Sequence, residues 1–324
     1  MKKLAAFLLA AVAALGLLTG CAAETDTVTV KVSEVAHSVF YAPQYAAMSQ
    51  GFFEEEGLNI ELLNGGGADK VMTSVLTGEV DVGLAGPEAC IYVLLEGRED
   101  APRIFAQLTN CDGAFLVGRT DEDFSWENLR GKTIIGGRKG GVPEMTLEYV
   151  MKQNGVIPHE DAVVDTSVQF NMMAGAFTGG NGDYVALFEP TATEVELAGQ
   201  GYVLCSIGAE SGEIPYTAYF AAQSYLDENP EVVQKFTNAI AKGQKWVQEH
   251  SDLEVAQAIA DQFPDTDLKV LEQVAARYRS IGAWKTEPSM DEEDFSRLMD
   301  VMEEAGELSQ RVPFADFVTN KFAK

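Results

Sequence analysis

The sequence predicts an α/β chain of two lobes, each a mostly parallel sheet flanked by helices, followed by a helical C-terminal tail. Three observations carry this. Short β-branched runs alternate with amphipathic helical segments from Val28 to Thr109, and the alternation starts again at Ala114. Beyond Ala221 only helical periodicity and capping residues remain. A repeated β-α-β order lays strands side by side with helices on both faces.

Val28, Val30 and Val32 alternate with Thr29, Lys31 and Ser33, the pattern of a half-buried strand. Pro43 opens a helix over Gln44 to Gln50, which Gly51 stops. Leu58 to Leu63 reads as a strand, and Gly65-Gly66-Gly67 as a loop. Val71, Met72, Val75 and Leu76 then share one helical face, ended by Gly78. Val80 to Ala85 is a strand, Glu88 to Leu95 a helix closed by Gly97, and Arg103 to Thr109 a strand.

The second unit repeats the scheme. Ala114 to Val117, Thr133 to Ile135, Val163-Val164 and Tyr184 to Phe188 read as strands. Pro143 to Asn154 reads as a helix closed by Gly155, and Thr191 to Ala198 as another. Val203 to Ile207 and Tyr216 to Ala221 complete the strands. In the tail, Asn229-Pro230 sets an N-cap before a Pro at the first helical position. Ser251-x-x-Glu254 and Ser289-x-x-Glu292 are capping-box patterns. Leu268, Leu271, Val274, Ala275 and Tyr278 recur at helical spacing. Lobe crossings are expected near Asn110–Gly113 and Gly212–Tyr216. The first lobe is then discontinuous, 28–112 plus 216–324 with the tail, and the second lobe is 113–215.

The chain has 324 residues, 23 Lys+Arg against 50 Asp+Glu and a formal charge of −27. With 46% hydrophobic residues it holds enough apolar side chains for a core and is no disordered polyanion. The charge argues against a nucleic-acid partner and against electrostatic docking on anionic lipid. It does not choose a ligand.

Met1-Lys2-Lys3, an uncharged apolar run from Leu4 to Leu18, and Leu18-Thr19-Gly20-Cys21 read as a secretory signal over residues 1–20. The Cys after Leu-Thr-Gly resembles a bacterial lipobox, which makes Cys21 the lipid-bearing N-terminus and 21–27 a tether. Cleavage removes two Lys, leaving 21 basic against 50 acidic residues, or −29. Cys90, Cys111 and Cys205 read as buried free thiols, and at most one pair among them can form a disulfide. His37, His159 and His250 are scattered, and no metal site or cofactor is expected.

A set of segments now points to a family. Phe40-Tyr41-Ala42-Pro43-Gln44-Tyr45-Ala46-Ala47 leads to Gly51-Phe52-Phe53-Glu54-Glu55-Glu56-Gly57-Leu58. Leu76-Thr77-Gly78-Glu79-Val80-Asp81-Val82-Gly83, Trp126-Glu127-Asn128-Leu129-Arg130-Gly131-Lys132, Phe188-Glu189-Pro190 and Asn229-Pro230-Glu231-Val232-Val233-Gln234-Lys235-Phe236 follow in order. In this order they resemble the substrate-binding proteins of ABC importers for alkanesulfonates, nitrate and thiamine pyrimidine precursors, from about Val28 to the C-terminus. The resemblance implies the type II periplasmic-binding-protein architecture, a ligand cleft between hinged lobes, and an ABC permease with its ATPase as partners. It also implies an extracytoplasmic location.

In open α/β sheets ligands sit beyond the carboxyl ends of the strands, so the residues that follow the strands form the candidate site. Ser38 has two readings, a helix cap or a ligand contact. Phe40 and Tyr41 offer flat faces to an aromatic ligand or fill the core. Gly66 and Gly67 permit close backbone approach or simply make a tight turn. Glu88 caps its helix or meets the ligand. Arg138-Lys139-Gly140-Gly141-Val142 leads into a helix start, where the family presents backbone amides to its ligand; the other reading is a solvated basic turn. Phe170 and Asn171 follow a strand, Glu189 ends one at the cleft, and Asn110 and Tyr216 lie near the hinge.

Glu88 and Glu189 favour a cationic or hydrogen-donating ligand. Phe40, Tyr41, Phe170 and Tyr216 favour one with an aromatic face. Together they favour a small nitrogen heterocycle of the thiamine-precursor type. Gly140, Gly141 and the helix start support a sulfonate, taurine or nitrate instead. Biosynthetic enzymes on the same fold, and a surface receptor or adhesin, are the readings from other classes. No Ser/His/Asp constellation or metal spacing supports catalysis.

Overall fold

The computed structural model describes residues 27–323. The segment 1–20 expected to be a signal, Cys21 and the expected tether up to residue 26 lie outside the described residues. The first sheet has the order β2-β1-β3-β10-β4, with β1 Val28–Glu34, β2 Leu58–Asn64, β3 Val82–Ala85, β4 Arg103–Thr109 and β10 Thr217–Ala221. The second has the order β7-β6-β8-β5-β9, with β5 Ala114–Gly118, β6 Thr133–Ile135, β7 Val163–Asp165, β8 Tyr184–Phe188 and β9 Tyr202–Ser206.

Both sheets are mixed, with four strands running one way and one reversed. In the first sheet β10 is antiparallel to β3 and β4; in the second, β5 is antiparallel to β8 and β9. The reversed strands are the two that follow the crossings between sheets, at residues 110–113 and 212–216. Backbone bonds pin these crossings together: Asn110 donates to the Ala283 carbonyl at 2.8 Å and accepts from Ile214 at 2.9 Å.

The helices that position the cleft are α1 Ala42–Ser49, α2 Ala68–Leu76, α3 Glu88–Leu95 and α4 Val142–Gln153. Further along come α5 Met173–Thr178, α6 Thr191–Leu197, α7 Pro230–Glu249, α8 Asp252–Ile259, α9 Leu268–Ser280 and α10 Glu292–Glu304. Pro at the start and Gly after the end punctuate α1 and α4 as the sequence predicts. The capping box at Ser251 and Glu254 forms, with both Ser251 N–H and Oγ donating to Glu254. The one expected at Ser289 and Glu292 does not. Helix α10 starts two residues later with Asp291 as its N-cap, and Ser289 Oγ bonds Glu287 instead. Ile207, expected at the end of a strand, begins a short helix, Ile207–Ser211, capped by Ser206.

The tail bridges the two sheets. On α9, Tyr278 donates to the Gly113 carbonyl at 3.1 Å and accepts from the Glu189 amide at 3.0 Å. Trp284 donates to the Phe40 carbonyl at 3.0 Å, and α10 packs on α4. No helix of the described residues is long and apolar enough to cross a membrane. Cys90, Cys111 and Cys205 are free; the first two are buried, while Cys205 is only half-buried.

Candidate functional site

The carboxyl ends of β1, β3, β6 and β8 converge on a cleft between the sheets. Its cavity encloses about 690 Å³ of space with the open mouth included. From the first sheet's side it is lined by Tyr41, Gly66, Gly67, Gly86, Glu88, Tyr216 and Thr217. Opposite stand Arg138, Gly141, Val142, Phe170 and Phe188.

One wall is aromatic. Phe170 and Phe188 have ring centroids 5.5 Å apart, and Phe188 lies 6.1 Å from Tyr216. The polar groups are fewer and more specific. Glu88 is 1% exposed; its Oε1 accepts from the Val142 amide at 3.3 Å, while Oε2 has no hydrogen-bond partner among the described residues. Burial pushes its carboxyl up, and Arg138 and the Val142 amide pull it back. The Tyr216 hydroxyl is likewise buried, with the Asp112 carboxylate beside it. Buried polar atoms are normally satisfied, and Glu88 Oε2 is the one on this cavity wall that stands without a partner among the described residues. Two further bonds cross the cleft: Tyr92 Oη donates to the Gly140 carbonyl at 2.8 Å, and Ser38 Oγ donates to the Glu189 carbonyl.

Beside the cavity, Glu34 ends β1 fully enclosed by His37 (2.6 Å), Tyr45 (2.8 Å) and Gln44 (3.0 Å). This network fixes the loop that carries Ser38 and Tyr41. Nothing in the local sequence pattern singled out Glu34, because its three partners converge only through the turn into α1.

The sequence matches the NMT1/THI5-like family over residues 39–253. The chain belongs to the NMT1/THI5-like family. A relative from Bacillus subtilis (strain 168), named as a binding protein, YtlA, is 44% identical over 308 residues, covering 95% of this chain and 92% of that one. A Saccharomyces cerevisiae protein named as 4-amino-5-hydroxymethyl-2-methylpyrimidine phosphate synthase THI13 is 26% identical over 227 residues, 64% of this chain and 63% of its own. Among solved structures, the alkanesulfonate-binding protein SsuA from Xanthomonas axonopodis pv. citri, bound to MOPS, superposes with a TM-score of 0.73. It is 15% identical and covers 90% of this chain and 98% of that chain. This likeness shows the periplasmic-binding-protein fold.

In this NMT1/THI5-like protein, seven of the residues singled out from sequence line the cavity: Tyr41, Gly66, Gly67, Glu88, Gly141, Phe170 and Tyr216. Ser38 and Glu189 line a neighbouring hollow, which shares Val35, Gly66, Phe170 and Phe188 with the first. Ser38 takes the capping reading too, accepting from the Phe40 amide at 3.2 Å.

Four of the residues singled out need correction. Phe40 is fully buried and packs against Tyr41, Phe188, Tyr216 and Tyr278, so it fills the core. Glu189 does not offer its carboxylate to the cleft: it accepts from Thr193 N (2.8 Å), Thr193 Oγ1 (2.9 Å) and Arg277 (2.7 Å). Asn110 serves the crossing through its backbone, and Gly140 accepts from Tyr92, so neither lines the cavity. Arg138, read as a basic turn or an anion contact, is exposed on one side and lines the cavity on the other. Phe188 and Thr217 were missed: Phe188 follows from the rule that carboxyl ends of strands line the cleft, whereas Thr217 starts the reversed strand β10 and reaches the cleft by its amino end.

His159 is not isolated. It bonds Glu148 at 2.8 Å, and Glu144, Glu148 and His159 bring ligand atoms within 4.8 Å of one another. The fold of α4 and the loop after it creates this cluster, which spacing alone does not reveal. Burial and Glu148 push the Glu144 carboxyl up to about 7, and its Oε2 accepts from the Gly140 amide.

Proposed function

We propose that this protein is the extracytoplasmic solute-binding component of an ABC importer. It captures a small aromatic nitrogen heterocycle, such as a thiamine pyrimidine precursor, and delivers it to a permease driven by an ATPase. The observation that carries the reading is the cavity in which the rings of Phe170 and Phe188 stand near two buried polar groups, the unpartnered Glu88 Oε2 and the Tyr216 hydroxyl. A planar ring stacks on Phe170 and Phe188 while its exocyclic amine donates to Glu88 and a ring nitrogen accepts from Tyr216. The relative named as a binding protein, similar along nearly the whole chain, supports binding rather than turnover. The yeast relatives named as synthases, similar over about two-thirds of the chain, keep a biosynthetic enzyme as a lower-ranked reading.

The lobes of this reading are 28–112 plus 216–324, and 113–215. Ligand adds contacts that exist only when they close, which shifts the open–closed population. Cys21 holds the lipid that keeps the protein at the membrane. The second ligand reading is an alkanesulfonate, taurine or nitrate, supported by Arg138 and the start of α4.

The test is a thermal-shift and calorimetric panel on the purified protein. We expect stabilisation by 4-amino-5-hydroxymethyl-2-methylpyrimidine or related aminopyrimidines. Stabilisation by taurine and alkanesulfonates with no response to pyrimidines would replace this ligand with the anionic one. Turnover of a bound pyrimidine would replace binding with catalysis.

A further inference from the structure

Helix α4 points its N-terminus into the cleft. The first amides of a twelve-residue helix concentrate positive potential, and Arg138 stands beside them. Such a place takes an anion, and here the protein supplies one. Glu88 reaches from the opposite side of the cleft and seats Oε1 on the Val142 amide at 3.3 Å. The side chain is 1% exposed, so this is a buried contact rather than a chance surface encounter.

The sequence around it is shaped for this position. Gly86, also on the cavity wall, leaves the space that the carboxylate occupies; a Cβ there would run into Glu88. Oε2, beside Gly86, keeps no hydrogen-bond partner among the described residues. A carboxylate with one oxygen on a helix start and the other unpartnered in a cavity is an acceptor presented to whatever fills that cavity.

We propose that Glu88 is a built-in anion: it fills the anion position at the start of α4 and presents its free oxygen to the ligand. The cleft then takes a neutral or cationic hydrogen-bond donor and rejects sulfonate and nitrate. The inference rests on the reading that this cleft is the ligand site, and it decides between the two ligand classes left there. An anion entering the wild-type cavity meets the Glu88 carboxylate, and like charges placed side by side disfavour binding. Removing the carboxylate vacates the Val142 amide and leaves Arg138 without its counter-charge, which converts the cleft into an anion site.

The experiment titrates ethanesulfonate and nitrate into the wild-type protein and into Glu88→Ala by calorimetry. Gly86→Ala, which displaces the carboxylate without deleting it, serves as the second variant. We expect no measurable anion binding to the wild type, and a gain of at least about tenfold in ethanesulfonate affinity in Glu88→Ala. If Glu88→Ala does not fold, the same gain is expected in Gly86→Ala. Wild-type binding of either anion overturns the proposal, as does a folded variant that gains none. The pyrimidine panel is read separately. An anion gain in Glu88→Ala, with no pyrimidine binding to the wild type, supports the role of Glu88 and retires the heterocycle.

Discussion

Arg277, on the tail helix α9, bonds Glu189 at the end of β8 at 2.7 Å and so ties the tail to the second sheet. The Glu189 carboxylate is fully enclosed, while a quarter of the Arg277 side chain meets solvent. Arg277 also reaches Thr193 at 2.8 Å and Glu196 at 3.2 Å. Truncating one partner of a buried pair strands the other charge. Arg277→Ala is expected to destabilise the protein by about 3 kcal/mol, the low end of that range because Arg277 is partly solvated. Urea denaturation measures it. A loss below about 1 kcal/mol would show that water reaches Glu189 and relieves the charge.

Gly243 sits in the middle of α7 against α1. Helix propensity alone favours Ala there by about 1 kcal/mol. A Cβ at this position would collide with the Pro43 carbonyl oxygen and stand 2.9 Å from Ala47 Cβ. Backbone cannot swing aside as a side chain does, and overpacking of this kind costs about 1–3 kcal/mol. The clash wins, so Gly243→Ala is expected to lower the thermal midpoint; a raised midpoint would mean that α7 shifts freely on α1.

Asp112 lies fully buried in the first crossing, with Oδ1 bonded to the Ala114 amide at 2.6 Å. Burial raises its carboxyl to about 8, against smaller lowering by that amide and by the Tyr216 hydroxyl. The folded protein therefore holds one proton more than the unfolded chain between the ordinary carboxylate range and about pH 8. Stability from this group falls as pH rises through that window, by about 1.4 kcal/mol per unit, and levels off above it. Asp112→Asn keeps the acceptor for Ala114 and removes the slope. Denaturation at several pH values compares the two proteins, and parallel curves would sink the assignment.

The strands were legible because alternating valines such as Val30 and Val32 record one buried face, although Val28 at the start of the strand stays exposed. Pro and Gly at the ends of α1 and α4 record where those helices start and stop. What local pattern does not record is direction. The reversal of β5 and β10 follows from where each lands after crossing between sheets, a tertiary choice. The cleft was legible as a set of strand ends, and Glu88 and Phe170 came out of that rule, while Tyr216 came from its place near the expected hinge. Phe40 and Glu189 obeyed the same rule and still turned inward. Tyr278 and Arg277, about 90–240 positions away along the chain, claimed them once α9 docked. The grouping of Glu144, Glu148 and His159 escaped for the same reason, since His159 reaches back to α4 through a loop.

Tyr92 tests the closing motion. It stands on α3 and donates across the cleft to the Gly140 carbonyl at 2.8 Å, next to the residues that lead into α4. If the lobes open without ligand, this bond exists only in the closed form and contributes to ligand affinity rather than to the unliganded fold. Tyr92→Phe keeps the ring and removes one neutral hydrogen bond, about 0.5–1.5 kcal/mol. The dissociation constant for a pyrimidine ligand should therefore rise about two- to tenfold, with the thermal midpoint of the unliganded protein nearly unchanged. Calorimetry and a thermal melt measure the two quantities. A lowered midpoint with an unchanged dissociation constant would place the bond in both forms, and the hinge would then have to close elsewhere than between α3 and the Arg138–Gly141 turn.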